Sequence, residues 1–370
     1  MIARLEPFDQ ARFLAEFWQR KPCFIPGWLP VRPCPLSTLM TLIDEHELPA
    51  RLVRGSQAAG DWQLEHGPFQ FDDLPHGDSD WTVLVQEIDK VYPPAAELMQ
   101  AFRFLPDWCL DDVMVSWAAD GGSVGPHLDA YDVFLVQTEG RRRWQLAEGQ
   151  GFEADTRFEL ALLKDWHAQT ELLAKPGDVL YLPAGYAHHG VADGPCQTWS
   201  VGIRTPSGPE FLMSLVEQLA NSARRWPRLS LGAIKAEHGA RISPAQLAEL
   251  RQLMSDCLAM DDQALEQLAG SFLSSWRLWP ANDTAEPEDN DELRQRLAGD
   301  SAVRLHPASR LAVTGSGDHT RLFVNGHEIP CSPELTNSLT QARALDERWL
   351  GYPIALEALL EAEALELWSD

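Results

Sequence analysis

Two histidines and one aspartate form the most chemically specific pattern in this 370-residue chain. His127 and Asp129 stand two residues apart in Gly125-Pro126-His127-Leu128-Asp129-Ala130-Tyr131-Asp132-Val133-Phe134. A further histidine, His188, follows the strand-like Gly177-Asp178-Val179-Leu180-Tyr181-Leu182 and the turn Pro183-Ala184-Gly185. Two imidazoles and a carboxylate on one face of Fe(II) leave three adjacent positions open for a chelating cosubstrate and O2. A lone His-x-Asp suits a surface turn equally well. The strand context, the second histidine turn and the order of the three residues favour the metal site. His188 is the expected third ligand; its neighbour His189 is the alternative, directed elsewhere to pack or to support the ligands.

Those residues need elements that aim them. Side chains alternate along a strand, so a strand through this segment puts His127, Asp129 and Tyr131 on the face of Val133 and Leu135. In Gly140-Arg141-Arg142-Arg143-Trp144-Gln145-Leu146, alternation groups Arg142 with Trp144 and Leu146, and Arg141 with Arg143 and Gln145. One of these arginines is expected to point inward. A buried guanidinium wants a carboxylate held through paired hydrogen bonds, and the distal carboxylate of 2-oxoglutarate meets that need. Arg141 and Arg143 read as a solvated turn. On Asp112–Ala118 the same parity groups Asp112, Met114 and Ser116. Ser116 suits a cosubstrate carboxylate and Asp112 a cationic side chain, with Met114 and Tyr131 walling its aliphatic stem. Plain core packing serves Met114 and Tyr131 nearly as well.

Short runs bounded by turn residues read as strands: Trp81–Val85, Asp112–Ala118, Tyr131–Thr138, Arg141–Ala147, Val179–Leu182 and Thr198–Arg204. Glu139-Gly140 suggests a tight hairpin between two of them. Strands this close, with no helices between, point to an antiparallel barrel or jelly roll. Residues 209–279 read as helices. Ser243-Pro244 caps one of these, with Leu247, Leu250, Met254 and Leu258 at helical spacing, and Leu265, Leu268, Phe272 and Trp276 mark another. Such apolar faces suit a helix pair or a second copy of the chain.

An acidic, Pro-containing linker is expected over 280–291. The last zone, 292–370, reads as a short helix at Glu292–Leu297, strands at Arg310–Thr314 and Arg321–Val324, the turn Asn325-Gly326, and helices over 332–350 and 354–367. That order resembles a winged-helix module. Its last helix carries Glu357, Glu361, Glu363 and Glu366 without a basic residue, which argues against reading DNA.

Fifty-five acidic residues against thirty basic ones, only five of them Lys, give a net charge of −25. Such a surface repels phosphate backbones and attracts basic proteins. The six cysteines form no Cys-x-x-Cys pair, no apolar run is long enough to span a bilayer, and the N-terminus lacks a signal-peptide core. A cytoplasmic, reduced, membrane-free chain is the expectation.

The quoted motifs at 125–134, at 140–144 and at 177–183 with His188 resemble those of the bacterial ribosomal oxygenases, a branch of the Jumonji-type, cupin-like 2-oxoglutarate oxygenases. Phe17-Trp18-Gln19-Arg20-Lys21-Pro22 resembles their N-terminal signature. The resemblance implies an α+β chain. Residues 1–208 would form a double-stranded β-helix (jelly-roll, JmjC/cupin) catalytic barrel, 209–279 a helical dimerisation region, and the last zone a winged-helix-like module. It further implies that His127, Asp129 and His188 hold Fe(II), with no catalytic side chain beyond the metal centre. Arg142 and Ser116 would bind 2-oxoglutarate, and Asp112, Met114 and Tyr131 would bind the target. The implied reaction uses O2 to hydroxylate the β-carbon of an arginine in a large-subunit ribosomal protein, L sixteen, releasing succinate and CO2. At His189 related sequences often carry an acidic residue. The competing readings are a cupin holding Zn or Mn without oxygenase activity, a non-enzymatic scaffold, and a lysyl demethylase.

Overall fold

The computed structural model describes residues 2–75, 77, 79–149, 151–221, 228–229, 242–278, 290–298 and 303–367. Two compact units divide the chain, Met1–Thr205 and Pro206–Asp370. The expected linker at 280–291 lies outside the described residues apart from its last two.

Unit 1 is built from twelve strands: β1 (Ala3–Arg4), β2 (Cys23–Ile25), β3 (Ala50–Arg54), β4 (Gln63–His66), β5 (Trp81–Val85), β6 (Leu110–Ala118), β7 (Asp132–Glu139), β8 (Arg142–Ala147), β9 (Thr170–Ala174), β10 (Val179–Leu182), β11 (Ala187–Ala192) and β12 (Cys196–Ile203). Nine of them form one sheet, ordered β1-β2-β10-β7-β12-β6-β5-β3-β4, and the other three form a second, β11-β8-β9. Every pairing is antiparallel except β1 with β2.

Alternation decides what each face of the large sheet buries. Phe134 on β7 lies opposite Tyr181 on β10. Both join an aromatic layer with Phe13 of helix α1 (Gln10–Glu16), Trp28 and Phe102. The intervening residues Val133, Leu135, Leu180 and Leu182 face the other way and pack with Trp144 and Leu146 of the small sheet. This second face is the barrel interior. With both faces covered, β10 and β12 are buried along their whole length, and β10 reads as a continuous apolar run while β12 also buries Gln197, Thr198 and Ser200. Each buried Phe or Leu side chain contributes about 1.5–3 kcal/mol relative to exposure.

Two sequence expectations are corrected here. Glu139-Gly140 does not close a hairpin: β7 belongs to the large sheet and β8 to the small one. The turn carries the chain from one sheet to the other, as a jelly roll requires. Gly140 makes it possible with φ +60, at a place where a Cβ would lie 2.2 Å from the Pro195 carbonyl oxygen. The strand expected through His127, Asp129 and Tyr131 begins only at Asp132; the preceding segment is irregular, with a single bridge at His127. Two further helices of this unit are α2 (Leu36–His46) and α3 (Pro93–Gln100).

Unit 2 holds α4 (Gly208–Asn221), α5 (Pro244–Leu258), α6 (Asp262–Ser275), α7 (Asn290–Ala298), α8 (Pro333–Ala342) and α9 (Pro353–Glu361). Ser243 caps α5 as its sequence suggests, accepting from the Gln246 N–H at 3.2 Å, with Pro244 in the first turn. Strands β13 (Val303–Leu305), β14 (Leu311–Thr314), β15 (Arg321–Val324), β16 (His327–Ile329), β17 (Ala344–Leu345) and β18 (Leu365–Leu367) form two small sheets, β17-β13-β18 and β14-β15-β16. Asn325 (φ 49) and Gly326 (φ 90) make the β15–β16 turn. The helix expected over 354–367 stops at Glu361, and Leu365–Leu367 pairs as a strand with β13. The helix expected over 332–350 ends at Ala342, where Arg343 turns into the left-handed region. Helical spacing alone misses both ends, because strand pairing with β13 captures Ala344–Leu345 just past the first helix and Leu365–Leu367 past the second.

Candidate metal centre

His127 and His188 come from different parts of the fold and meet across one antiparallel bridge. The His127 N–H donates to the His188 carbonyl at 2.9 Å, and the His188 N–H donates back at 3.0 Å. Asp129 is tied to the same place by the Gly185 N–H, which donates to its carbonyl at 2.7 Å from the Pro183-Ala184-Gly185 turn. Pro126 accepts from the Leu163 N–H at 2.8 Å, which anchors the segment from its other side. One ligand atom from each of His127, Asp129 and His188 lies within 4.8 Å of the others. His127 Nε2 is 4.0 Å from Asp129 Oδ1, and His188 Nε2 is 3.6 Å from Asp129 Oδ2.

The tautomers are set by the backbone. His127 Nδ1 donates to the Gly125 carbonyl and His188 Nδ1 to the Tyr186 carbonyl, each at 2.9 Å. A carbonyl only accepts, so in both neutral rings the lone pair sits on Nε2, the atom turned toward Asp129. Burial, with the His127 ring beside it, pushes the His188 imidazole down to about 4, so it is neutral at pH 7. His189, next on β11, faces away. Its Nδ1 lies 3.3 Å from Gln145 Oε1, and burial holds it at about 4 as well. Alternation therefore separates the two neighbouring histidines, and only His188 joins the cluster.

A cavity of about 220 Å³ opens beside these ligands, lined from both sheets. Arg142 and Trp144 of β8 line it, with Met114 and Ser116 of β6, Tyr131, and Thr198 and Ser200 of β12. Arg142 is 3% exposed and donates from Nη2 to Ser116 Oγ at 3.1 Å. Its buried Nε finds no acceptor among the described residues.

The JmjC domain family matches residues 97–211. Over 331 residues the chain is 33% identical to the ribosomal protein uL16 3-hydroxylase of Escherichia coli K12, covering 86% of this chain and 84% of that protein. A probable ribosomal oxygenase of Haemophilus influenzae is 31% identical over 91% of this chain and 87% of its own. The chain belongs to the JmjC-domain ribosomal oxygenases. The structure of the Escherichia coli ribosomal oxygenase YcfD in complex with cobalt and 2-oxoglutarate matches this ribosomal oxygenase with a TM-score of 0.78 at 30% identity over 98% of both chains. A second E. coli YcfD structure matches with a TM-score of 0.81 at 29% identity over the full length of both.

The residues of this ribosomal oxygenase fit both groups its family uses. Two neutral imidazoles and a carboxylate make a three-ligand site of the kind that suits Fe(II). A buried guanidinium with an unsatisfied Nε and no carboxylate partner among the described residues matches a dicarboxylate cosubstrate.

The other sequence candidates divide. Met114, Ser116 and Tyr131 line the cavity. Asp112 is buried and is not among the residues lining the cavity; its Oδ2 accepts from the Glu87 N–H at 3.1 Å. It stands among Asp89, Lys90, Asp111 and Glu87. Burial and the neighbouring Asp111 raise its carboxyl to about 6, and burial with Asp112 raises Glu87 to about 8. Arg204 stacks on the Tyr131 ring at 3.8 Å and pairs with Asp111. Sequence reasoning missed Arg51 and the Leu160-Ala161 segment, which also line the cavity. Arg51 had a readable signal, a basic residue in phase with Val53 on a half-apolar strand. Leu160 and Ala161 had none, because irregular backbone has no period.

Proposed function

We propose that this chain is an Fe(II)- and 2-oxoglutarate-dependent protein hydroxylase acting on the β-carbon of an arginine in ribosomal protein uL16. The observation that carries the proposal is the convergence of His127, Asp129 and His188 beside a buried Arg142 that meets no carboxylate among the described residues. His127 Nε2, His188 Nε2 and an Asp129 oxygen hold the metal. Arg142 and Ser116 receive the distal carboxylate of the cosubstrate. When bound, Fe(II), 2-oxoglutarate and O2 supply the oxidising power for C–H hydroxylation, with succinate and CO2 as coproducts.

The chain's own work is placement and exclusion. Arg142, fixed on Ser116, orients the cosubstrate along the cavity. Trp144, Val133 and Leu135 keep that end dry. Met114 and Tyr131 flank the aliphatic stem of the target arginine, and Asp112 contributes negative charge behind them. The net charge of −25 draws in a basic ribosomal protein. A ribosomal substrate places the enzyme in the cytoplasm. We assign 1–208 as the catalytic domain, 209–279 as a dimerisation region, 280–291 as a linker and 292–370 as a winged-helix-like module. Among the described residues no helix is long and apolar enough to cross a membrane.

Mass spectrometry of ribosomal proteins from cells with and without the gene tests the reading. One added oxygen on a uL16 arginine, present only with the gene, is the expected result. Identical masses in both strains would defeat it.

A further inference from the structure

Five arginines among the described residues have a buried Nε that no acceptor meets in hydrogen-bonding geometry, Arg51, Arg54, Arg103, Arg142 and Arg204, although the Arg204 Nε lies directly against Asp111 Oδ2. Three of them are neutralised by carboxylates, Arg54 by Glu65, Arg103 by Asp107 and Arg204 by Asp111. The two that have no carboxylate partner among the described residues, Arg51 and Arg142, line the same cavity. A guanidinium is a donor with no acceptor capacity, and leaving one half-buried and uncompensated is costly unless an oxygen-bearing ligand completes it. Arg142 is accounted for by the cosubstrate. Arg51 is not.

The position of Arg51 points to a different ligand. It lies on β3, separated from β6 by β5, and its register partner on β5 is Leu84. Its Nη2 comes within 3.7 Å of Met114 Sδ, a weak acceptor, whereas Arg142 holds Ser116 one step further along β6. The two guanidiniums therefore address the two neighbouring inward positions of β6, Arg142 the cosubstrate side and Arg51 the Met114 side. Resting on the function proposed above, the target side chain at Met114 is itself cationic, so Arg51 cannot pair with it. What it can grip is an oxygen of the substrate chain.

We propose that Arg51 is a specificity-determining residue that donates to a main-chain carbonyl of the bound substrate peptide. A cation there also repels the target guanidinium from the β3 side and so favours one orientation of the side chain, with its charged end toward the Asp112 side.

The test is steady-state hydroxylation of an arginine-containing uL16 peptide by Arg51→Met and Arg51→Lys, with wild type in parallel. Each is measured as peptide KM, 2-oxoglutarate KM and succinate release without peptide. A charge-assisted hydrogen bond is worth roughly tenfold or more in affinity. Peptide KM should rise about tenfold in Arg51→Met, with 2-oxoglutarate KM and peptide-free turnover within twofold of wild type. Arg51→Lys, which keeps the charge and stem, should recover part of the loss and serves alone should the methionine variant not fold. A raised 2-oxoglutarate KM with unchanged peptide KM would overturn the proposal in favour of a cosubstrate contact; unchanged values for both would overturn it outright. Wild type inactive on the peptide would remove the functional reading and this proposal together, which sets that failure apart from the others.

Discussion

The backbone bridge between His127 and His188, two hydrogen bonds of 2.9 and 3.0 Å, holds their ring centroids 4.2 Å apart. The paired residues belong to an irregular segment before β7 and to β11, so neither position means anything chemically until the second sheet folds over the first. Both rings then give Nδ1 to a carbonyl and leave Nε2 for a metal.

Removing one of these ligands should abolish metal binding without unfolding the barrel. His188→Ala is expected to lose Co(II) or Fe(II) affinity by more than about a hundredfold, since two remaining ligands hold a divalent ion poorly. Titration calorimetry checks the affinity and circular dichroism the fold. Retained tight binding would move the metal elsewhere.

Arg142→Ala should separate cosubstrate from metal. Metal affinity stays near wild type, while 2-oxoglutarate turnover disappears or its KM rises about a hundredfold, as expected for a desolvated bidentate contact. Succinate release is the readout. Unchanged turnover would rule out this role for the guanidinium.

Gly190 makes room for Trp144, its partner across β11 and β8: a Cβ there would lie 2.5 Å from the indole ring. Gly190→Ala should push Trp144 into the cavity, costing about 1–3 kcal/mol of stability by overpacking and weakening 2-oxoglutarate binding. Urea unfolding and cosubstrate KM report the two effects separately.

Glu87 gives a pH prediction. Burial and Asp112 hold its carboxyl up at about 8, well above its ordinary 4.5. Between those values the unfolded chain has released a proton that the folded chain retains. Stability from this group is therefore full below about 4.5 and is lost as pH rises toward 8. Glu87→Gln should be about 1–3 kcal/mol more stable than wild type at pH 8.5, with the advantage vanishing near pH 4. Chemical denaturation at the two pH values measures it. An equal effect at both would show that charge is not the cause.

On α4, Met213 is 72% and Val216 63% exposed, and on α5 Met254 is 64% exposed. Our assignment of a dimerisation region predicts that light scattering finds a dimer at micromolar concentration. Met213→Glu combined with Val216→Glu should shift it toward monomer. A monomeric wild type would contradict the assignment.

Much of this protein was legible in its sequence because strand alternation is local. It grouped Arg142 with Trp144 and separated His188 from His189, and both groupings hold in β8 and β11. Buried runs such as Val179–Leu182 marked their strands to the residue. Pairing is a different matter. That Glu139-Gly140 joins two sheets, and that Leu365–Leu367 is a strand, depends on partners far away in the chain. Only the tertiary structure decided that Asp112 is buried outside the cavity lining, and that Arg51 shares a cavity with Arg142. Residue types fix which groups are available, but charge compensation is a property of neighbours in space. An arginine's partner cannot be read from the residues beside it in sequence.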